Sequence, residues 1–204
     1  MLAIVDYGVG NLFSLRSSLA MIGADAVVTG DAQCLRDADR IILPGVGAFA
    51  DAKKKLFDSG LQEVVIEEAR NGKPLMGICL GMQLLFDKSF EFGEYEGLGL
   101  ISGEVVGMDG RIPKELKIPH MGWNPLIMKQ PDHPLFRYVN NGESVYFVHS
   151  FYAENCEKNL LATAEYGIEL TAAVARDNVM GCQFHPEKSG KTGLNILRAF
   201  CEVV

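Results

Sequence analysis

Hydrophobic and polar positions divide the first half of the chain into short apolar runs and longer amphipathic segments. The apolar runs predict strands, at Leu2–Val5, Ala26–Val28, Arg40–Leu43 and Leu75–Ile78. Helical spacing of apolar residues predicts a helix over Asn11–Ile22, one or two helices over Leu56–Asn71, and another over Leu80–Phe86. Strands that alternate with helices pair in parallel through right-handed crossovers, so this half predicts a parallel sheet.

The second half, from about Leu98, has a different pattern, because apolar runs follow one another with only turns between them. These runs predict further strands, at Gly103–Gly107, Leu126–Met128, Glu143–Val148, Leu161–Thr163, Thr171–Arg176 and Val179–Gln183. An amphipathic helix is predicted over Gly193–Cys201. We therefore predict one α/β domain over residues 1–204, with a central, mostly parallel mixed sheet, flanking helices and an added antiparallel region.

Composition narrows the kinds of partner. The 204 residues are 48% hydrophobic and 22% charged with a formal net charge of −7, which argues against nucleic acid or an anionic membrane as the main partner. Neither a signal peptide nor a membrane span is predicted from the apolar runs. The five cysteines are scattered without a C-x-x-C pair, so we expect no disulfide framework, no metal site and a reducing, cytoplasmic compartment.

One cysteine stands at the junction of a predicted strand and a predicted helix, in Gly77-Ile78-Cys79-Leu80-Gly81. A side chain on such a turn projects from the backbone, and backbone N–H groups at a helix start favour a thiolate. Cys79 is therefore the candidate nucleophile. The alternative is a buried structural cysteine, which is the commoner role for this residue type.

A possible base for the nucleophile follows the last predicted strand, in Gln183-Phe184-His185-Pro186-Glu187. Residues two apart on an extended segment point to one side, so Glu187 can orient His185 while His185 takes the proton of Cys79. The alternative for this tripeptide is a surface turn.

Acyl transfer also needs N–H donors for the developing oxyanion. The backbone of Leu80 is one candidate, and the glycine-rich loop after the third strand offers Gly45 or Val46 as the other. Without the rest of the pattern, this loop would be a simple Pro-Gly turn. Its glycines also permit two backbone states, so we hypothesise that the loop switches between them.

Taken together, these motifs resemble the class I glutamine amidotransferases, whose flavodoxin-like α/β domain carries a Cys-His-Glu triad in this chain order. The resemblance extends from Asp6–Asn11 through Leu43–Phe49 and Gly77–Phe86 to Gln183–Ser189. It implies hydrolysis of L-glutamine by Cys79, His185 and Glu187 without a cofactor. It further implies that the substrate is held by Gln83, Glu91, Ser150 and Phe151.

Two motifs, His120–Asn124 and Pro44–Gly47, are similar to those of glutaminase subunits of imidazole glycerol phosphate synthase. This resemblance implies a heterodimer with a (β/α)8-barrel cyclase, HisF, which receives the ammonia for histidine biosynthesis. It places Met121, Trp123 and Lys188 near the interface; the alternative for Trp123 is core packing. Three other functions remain open: another amidotransferase subunit, a non-catalytic binding subunit, and a cysteine hydrolase of related fold.

Overall fold

Fourteen strands and six helices make up the described part of the chain, residues 1–202 of a computed structural model. The strands are β1 Leu2–Val5, β2 Ala26–Thr29, β3 Arg40–Leu43, β4 Leu75–Ile78, β5 Phe86–Ser89, β6 Tyr95–Glu96, β7 Ile101–Gly107, β8 His120–Pro125, β9 Ile127–Met128, β10 Ser144–His149, β11 Phe151–Glu154, β12 Leu160–Glu165, β13 Glu169–Arg176 and β14 Val179–Cys182. The helices are α1 Leu12–Met21, α2 Ala32–Asp37, α3 Phe49–Asp58, α4 Leu61–Arg70, α5 Leu80–Leu84 and α6 Gly190–Glu202. Short 3₁₀ helices cover Pro134–Phe136, Glu157–Asn159 and Pro186–Lys188.

An eight-stranded sheet forms the centre, in the order β2-β1-β3-β4-β14-β13-β12-β9. The five strands from β2 to β14 are parallel, and β13, β12 and β9 continue the sheet antiparallel. The predicted mixed α/β sheet is therefore confirmed. In such a sheet, ligands bind beyond the carboxyl ends of the parallel strands, which places the ends of β1, β3, β4 and β14 at one rim.

Alternate residues of β1 show how the sheet is covered. Leu2 and Ile4 belong to the apolar cluster that contains the buried residues of α1 and α6. Ala3 and Val5 belong to the cluster that contains those of α2, α3 and α4. Because successive strand residues point to opposite faces, both faces are buried, which explains the continuous apolar character of the parallel strands.

Two smaller sheets stand beside the rim. Strands β8 and β10 form an antiparallel ribbon, and β11-β7-β5-β6 form a four-stranded sheet. The sequence pattern did not predict β5, β6, β8 or β11, nor helix α2. These elements are short or carry glycine and polar residues, so their hydrophobic alternation is weak.

Two predicted helices have different bounds in the structure. The helix predicted to end at Phe86 ends at Leu84, because the backbone N–H groups of Leu100 and Ile101 bond the Leu85 carbonyl at 2.9 and 3.0 Å, and Phe86 then begins β5. The segment predicted as one or two helices from Leu56 is two helices that begin at Phe49, separated at Gly60, whose φ is +73°. Within residues 1–202, no helix is long and apolar enough to cross a membrane.

Candidate active site

Cys79 lies on a strained turn between β4 and α5. Its φ of +54° is uncommon for a residue with a side chain, and its N–H donates to the Cys182 carbonyl at 2.8 Å. The flanking glycines are needed because other backbone passes close by. A Cβ on Gly81 would lie 1.9 Å from the Leu43 oxygen, and one on Gly77 would lie 2.6 Å from the Gly81 oxygen. The neighbouring strand therefore packs directly against this turn.

The predicted base and acid are side by side. His185 follows β14, and its Nδ1 lies 2.8 Å from Glu187 Oε1. Both side chains are buried. The backbone is held on each side, since the His185 N–H donates to the Tyr146 carbonyl at 2.9 Å and the Ser189 hydroxyl donates to the His185 carbonyl at 2.6 Å. The imidazole is thus fixed in orientation.

The pKa of His185 reflects both Glu187 and Cys79. Burial by itself lowers the pKa of His185, but hydrogen bonds to Cys79 and Glu187 outweigh burial and raise it to about 9. The imidazole is therefore protonated at neutral pH when the two neighbours are in place. The structure places Cys79 and His185 at one cavity, with Glu187 beside His185.

Gln183 is a site residue that the sequence interpretation did not single out. It is fully buried; its Nε2 lies 3.7 Å from Cys79 Sγ, and its Oε1 accepts from Gln83 Nε2 at 3.0 Å. Its position two residues before His185, on the same side of an extended segment, was the available signal.

A cavity of about 790 Å³ opens in front of Cys79. Every residue predicted to bind the substrate lines it: Gln83, Glu91, Ser150 and Phe151. Cys79, Leu80, Val46 and His185 line it as well. This size and enclosure are typical of a site for one small molecule.

Two of the lining polar side chains are held by backbone contacts. Gln83 Nε2 donates to the Phe151 carbonyl at 3.0 Å. Glu91 Oε2 accepts from the Phe49 N–H at 2.9 Å. Burial raises the pKa of Glu91, and the bond from Phe49 opposes this shift. A carboxylate held this way favours a cationic group of a ligand.

The backbone N–H groups predicted to bind the oxyanion lie on two adjoining segments, the loop after β3 and the start of α5. Gly45 packs against the start of α5, where a Cβ would come within 2.7 Å of the Gly81 nitrogen. Val46 and Leu80 line the large cavity, whereas Gly45 is among the residues around a second, smaller cavity. The loop is anchored at its start, because the buried Tyr7 hydroxyl donates to the Pro44 carbonyl at 2.7 Å.

A buried histidine pair lies beside the pocket. His120 Nδ1 and His149 Nε2 are 3.0 Å apart, across strands β8 and β10. His149 Nδ1 is 2.8 Å from the Phe151 carbonyl, and His120 Nε2 is 2.9 Å from Asn124 Oδ1. Burial lowers the pKa of His149 to about 3, so this ring is neutral at pH 7, and burial also lowers the pKa of His120.

The predicted interface residues lie on the surface. Met121 and Trp123 are 60% and 55% exposed, which excludes core packing for Trp123. The Trp123 ring lies 6.1 Å from that of Tyr146 in an edge-to-face arrangement, and Lys188 Nζ lies 5.9 Å from the Tyr146 ring centre. These four side chains form one exposed surface.

Comparison with known proteins shows the family of this chain. The family described as "Glutamine amidotransferase class-I" matches residues 3–203. The chain is 51% identical to the imidazole glycerol phosphate synthase subunit HisH of Caldanaerobacter subterraneus subsp. tengcongensis, over 100% of this chain and 98% of that protein. The chain belongs to the HisH family of class-I glutamine amidotransferases. The HisH of Methanosarcina acetivorans is 50% identical, over 99% of this chain and 98% of that protein.

Solved structures at low sequence identity share the fold. A crystal structure of a glutamine amidotransferase matches with a TM-score of 0.76 at 19% identity, covering 98% of this chain and 97% of that one. PurLQS from Thermotoga maritima matches with a TM-score of 0.72 at 22% identity, covering 98% and 96%. These two matches support the class-I architecture of this HisH-family chain.

Proposed function

We propose that this HisH-family chain is the glutaminase subunit of imidazole glycerol phosphate synthase. The observation that carries the proposal is that Cys79 and His185 line the same large cavity, with His185 Nδ1 2.8 Å from Glu187 Oε1. A nucleophile, a base and an orienting acid next to a cavity for one small molecule suit acyl transfer. The names of the HisH relatives point to the same subunit.

The first half of the reaction forms a thioester. Cys79 Sγ attacks the side-chain amide carbon of L-glutamine as a thiolate, because its proton is already on His185. The negative oxygen accepts hydrogen bonds from backbone N–H groups of Leu80 and of Gly45 or Val46. The carbon–nitrogen bond then breaks as His185 returns the proton to the leaving nitrogen, which departs as ammonia.

The second half restores the cysteine. Water attacks the glutamyl thioester and gives one proton to His185, the carbon–sulfur bond breaks, and glutamate leaves as its carboxyl proton passes to solvent. Cys79 is then again a thiolate beside protonated His185. Glu187 stays ionised and stabilises the imidazolium in both halves. No cofactor takes part.

Substrate recognition uses the polar groups of the cavity wall. The Glu91 carboxylate suits the α-ammonium group of glutamine, while Gln83, Ser150 and Phe151 hold the remaining polar atoms of the amino-acid end. Because Gln83 is already bonded to Phe151 and Gln183, its side chain is fixed before substrate arrives.

The ammonia acceptor is the barrel cyclase subunit HisF in a heterodimer, in the cytoplasm. The exposed surface of Met121, Trp123 and Lys188 is where HisF binds, since large exposed aromatic and basic groups are typical interface anchors. In HisF the ammonia reacts with a phosphoribulosyl-formimino ribonucleotide. This reaction yields imidazole glycerol phosphate and an aminoimidazole carboxamide ribotide.

The loop Gly45-Val46-Gly47 controls when glutamine is hydrolysed. Gly47 has a φ of +93°, and Gly45 has no side chain, so a change in this backbone reorients the Val46 N–H at low cost. Partner and nucleotide binding would select the orientation in which this N–H points at the oxyanion.

The deciding experiment measures glutamate release by the chain alone, with HisF, and with HisF plus its nucleotide ligand. We expect strong stimulation only with both, and loss of at least about 10³-fold activity in Cys79→Ala. Stimulation by the synthase subunit of another ammonia-dependent pathway, and not by HisF, would assign the chain to that pathway. Absence of labelling by a glutamine-analogue electrophile in the full complex would indicate a non-catalytic subunit.

A further inference from the structure

The carboxylate of Glu187 has one oxygen without a partner. Oε1 is bonded to His185, but Oε2 is buried and has no hydrogen-bond partner among residues 1–202. The side chain is only 4% exposed. A buried carboxylate oxygen is costly unless it accepts a hydrogen bond, so this atom calls for a donor.

Beside Glu187 lies the second cavity of the rim. It has a volume of about 10 Å³ and is enclosed by Glu187, His185, Gly45, Val46, Asn11 and Leu15. That volume is close to the minimum for a single water-sized molecule. Ammonia is nearly the same size as water, and both donate N–H or O–H groups to a carboxylate.

The small cavity lies next to the large one. Val46 and His185 line both cavities, so these two residues are the partition between them. On its other side, the small cavity is closed by the start of α1 and by the 3₁₀ helix Pro186–Lys188, which contacts α1. Lys188, at the end of that 3₁₀ helix, is exposed on the surface proposed to bind HisF.

We propose that the small cavity is a one-molecule site for ammonia, which occupies it after release and donates to Glu187 Oε2. Water, which offers the same donors, fills the site between turnovers. The inference rests on the proposed function, because it needs ammonia to be made at His185 and used by a partner. Ammonia released from the amide carbon is first beside His185. The small cavity lies on the other side of the His185 ring from the large cavity.

The site explains why the acid of the triad is buried with one oxygen that has no partner among residues 1–202. One oxygen orients the imidazole, and the other holds the product nitrogen away from the thioester, which prevents its return attack. Neutral ammonia binds by donation only and is not protonated by Glu187, whose ionised form is an acceptor.

Two variants fill the site without altering the residues placed in the catalytic machinery. Leu15→Phe adds bulk from α1, and Asn11→Gln extends a polar side chain by one methylene group. Leu19→Phe is the matched control, because Leu19 is buried on the same helix one turn further on and does not line the cavity. Thermal unfolding of each variant, compared with that of the wild type, identifies those that fold.

The experiment uses the complex with HisF and its nucleotide ligand, and counts glutamate released per molecule of cyclase product. We expect a ratio near 1 for the wild type and Leu19→Phe, and about threefold higher for Leu15→Phe and Asn11→Gln, with kcat/KM for glutamine within about twofold. Synthesis from added ammonium chloride should be equal in all four. A high-resolution crystal structure of the wild-type complex should show one density peak within hydrogen-bond distance of Glu187 Oε2.

If Leu15→Phe and Asn11→Gln both leave the ratio of glutamate to cyclase product unchanged, the proposal is overturned. The small cavity is then a site for water alone. If the filled variants lose glutamine hydrolysis, or lose synthesis from ammonium chloride, the proposal is also overturned. Such a loss would mean that the cavity serves catalysis or the cyclase. If the wild-type complex releases no glutamate at all, the proposed function fails instead, and the two failures are thereby distinguished.

Discussion

At the scale of single residues, activity depends on the proton shared by Cys79 and His185. The two contacts of His185 raise its pKa against the effect of burial, and one of them comes from Glu187. A thiolate beside a protonated imidazole is the attacking form, so loss of the imidazole proton ends attack and removes the acid that releases ammonia.

The pKa of His185 predicts the pH above which the activity of the enzyme falls. In the complex with HisF and its ligand, kcat/KM for glutamine should fall above about pH 9, the pKa of His185. Glu187→Gln removes one of the charges that raise this pKa, so the fall should begin at lower pH, with kcat reduced about 10²-fold or more. Steady-state rates from pH 6 to 10 test this, and an unchanged alkaline limb in the variant would contradict the assigned role of Glu187.

Folding stability should depend on the two buried histidines in opposite pH ranges. The folded pKa of His185 is raised, so its contribution is complete below pH 6.5 and is lost as the pH rises to about 9. The folded pKa of His149 is lowered to about 3, so its contribution is present above pH 6.5 and is lost as the pH falls.

Urea unfolding at pH 7, 5.5 and 4 measures the His149 part. His149→Gln keeps polar atoms next to Phe151 and His120 but does not titrate. We expect the wild type to lose more stability than this variant between pH 7 and 4. Parallel losses in the two proteins would show that other groups set the acid stability.

Tyr7 is predicted to hold the oxyanion loop. Burial raises the pKa of its hydroxyl, and the Cys79 sulfur adds to this, so the group stays a donor to the Pro44 carbonyl. Tyr7→Phe leaves that carbonyl unpaired and releases the Pro44–Gly45 peptide, which carries the Gly45 N–H of the oxyanion loop. We expect kcat to fall about tenfold and KM to change less than about twofold, which initial-rate measurements in the full complex decide. A rise in KM alone would instead indicate a role in substrate binding.

At the scale of elements, the turn between β4 and α5 depends on how closely β3 approaches it. A Cβ at Gly81 would lie 1.9 Å from the Leu43 oxygen, so Gly81→Ala should destabilise the protein by about 3 kcal/mol or more. Gly23→Ala is the control, since its φ is +75° but nothing lies within 4 Å of the added Cβ, and it should cost only about 1 kcal/mol. Urea denaturation compares them; a loss for Gly81→Ala no greater than that for Gly23→Ala would contradict the close approach of the Leu43 carbonyl.

The ribbon β8–β10 shows the limit of prediction at this scale. Its outer residues Met121 and Trp123 and its inner pair His120 and His149 alternate along two strands. The sequence pattern predicted β10 but not β8, because glycine, histidine and asparagine interrupt the hydrophobic alternation there. Pairing with β10 supplies the hydrogen bonds that make β8 a strand, and such pairing is a long-range contact.

At the scale of the whole molecule, the exposed aromatic surface should decide assembly. Trp123→Ala should weaken HisF binding about 30-fold, since large aromatic anchors dominate interfaces. Phe57→Ala is the matched control, because Phe57 is 59% exposed on α3, away from β8 and β10. Titration calorimetry measures both affinities, and thermal unfolding should show little change for Trp123→Ala. Equal affinity for wild type and Trp123→Ala would remove Trp123 from the interface.

The sequence by itself determined the parallel α/β core and the identity of the reactive groups. Apolar strands alternating with amphipathic helices specify that core locally, and the residue types of Cys79, His185 and Glu187 with their flanking glycine and proline specify the chemistry. Only the tertiary structure decided that Gln183 touches the sulfur, that Tyr7 anchors the oxyanion loop, and that Glu187, with one unpartnered oxygen, lines a small cavity. Those relations join residues far apart in the chain, and they exist only where packing of the sheet rim brings separate loops within hydrogen-bond distance.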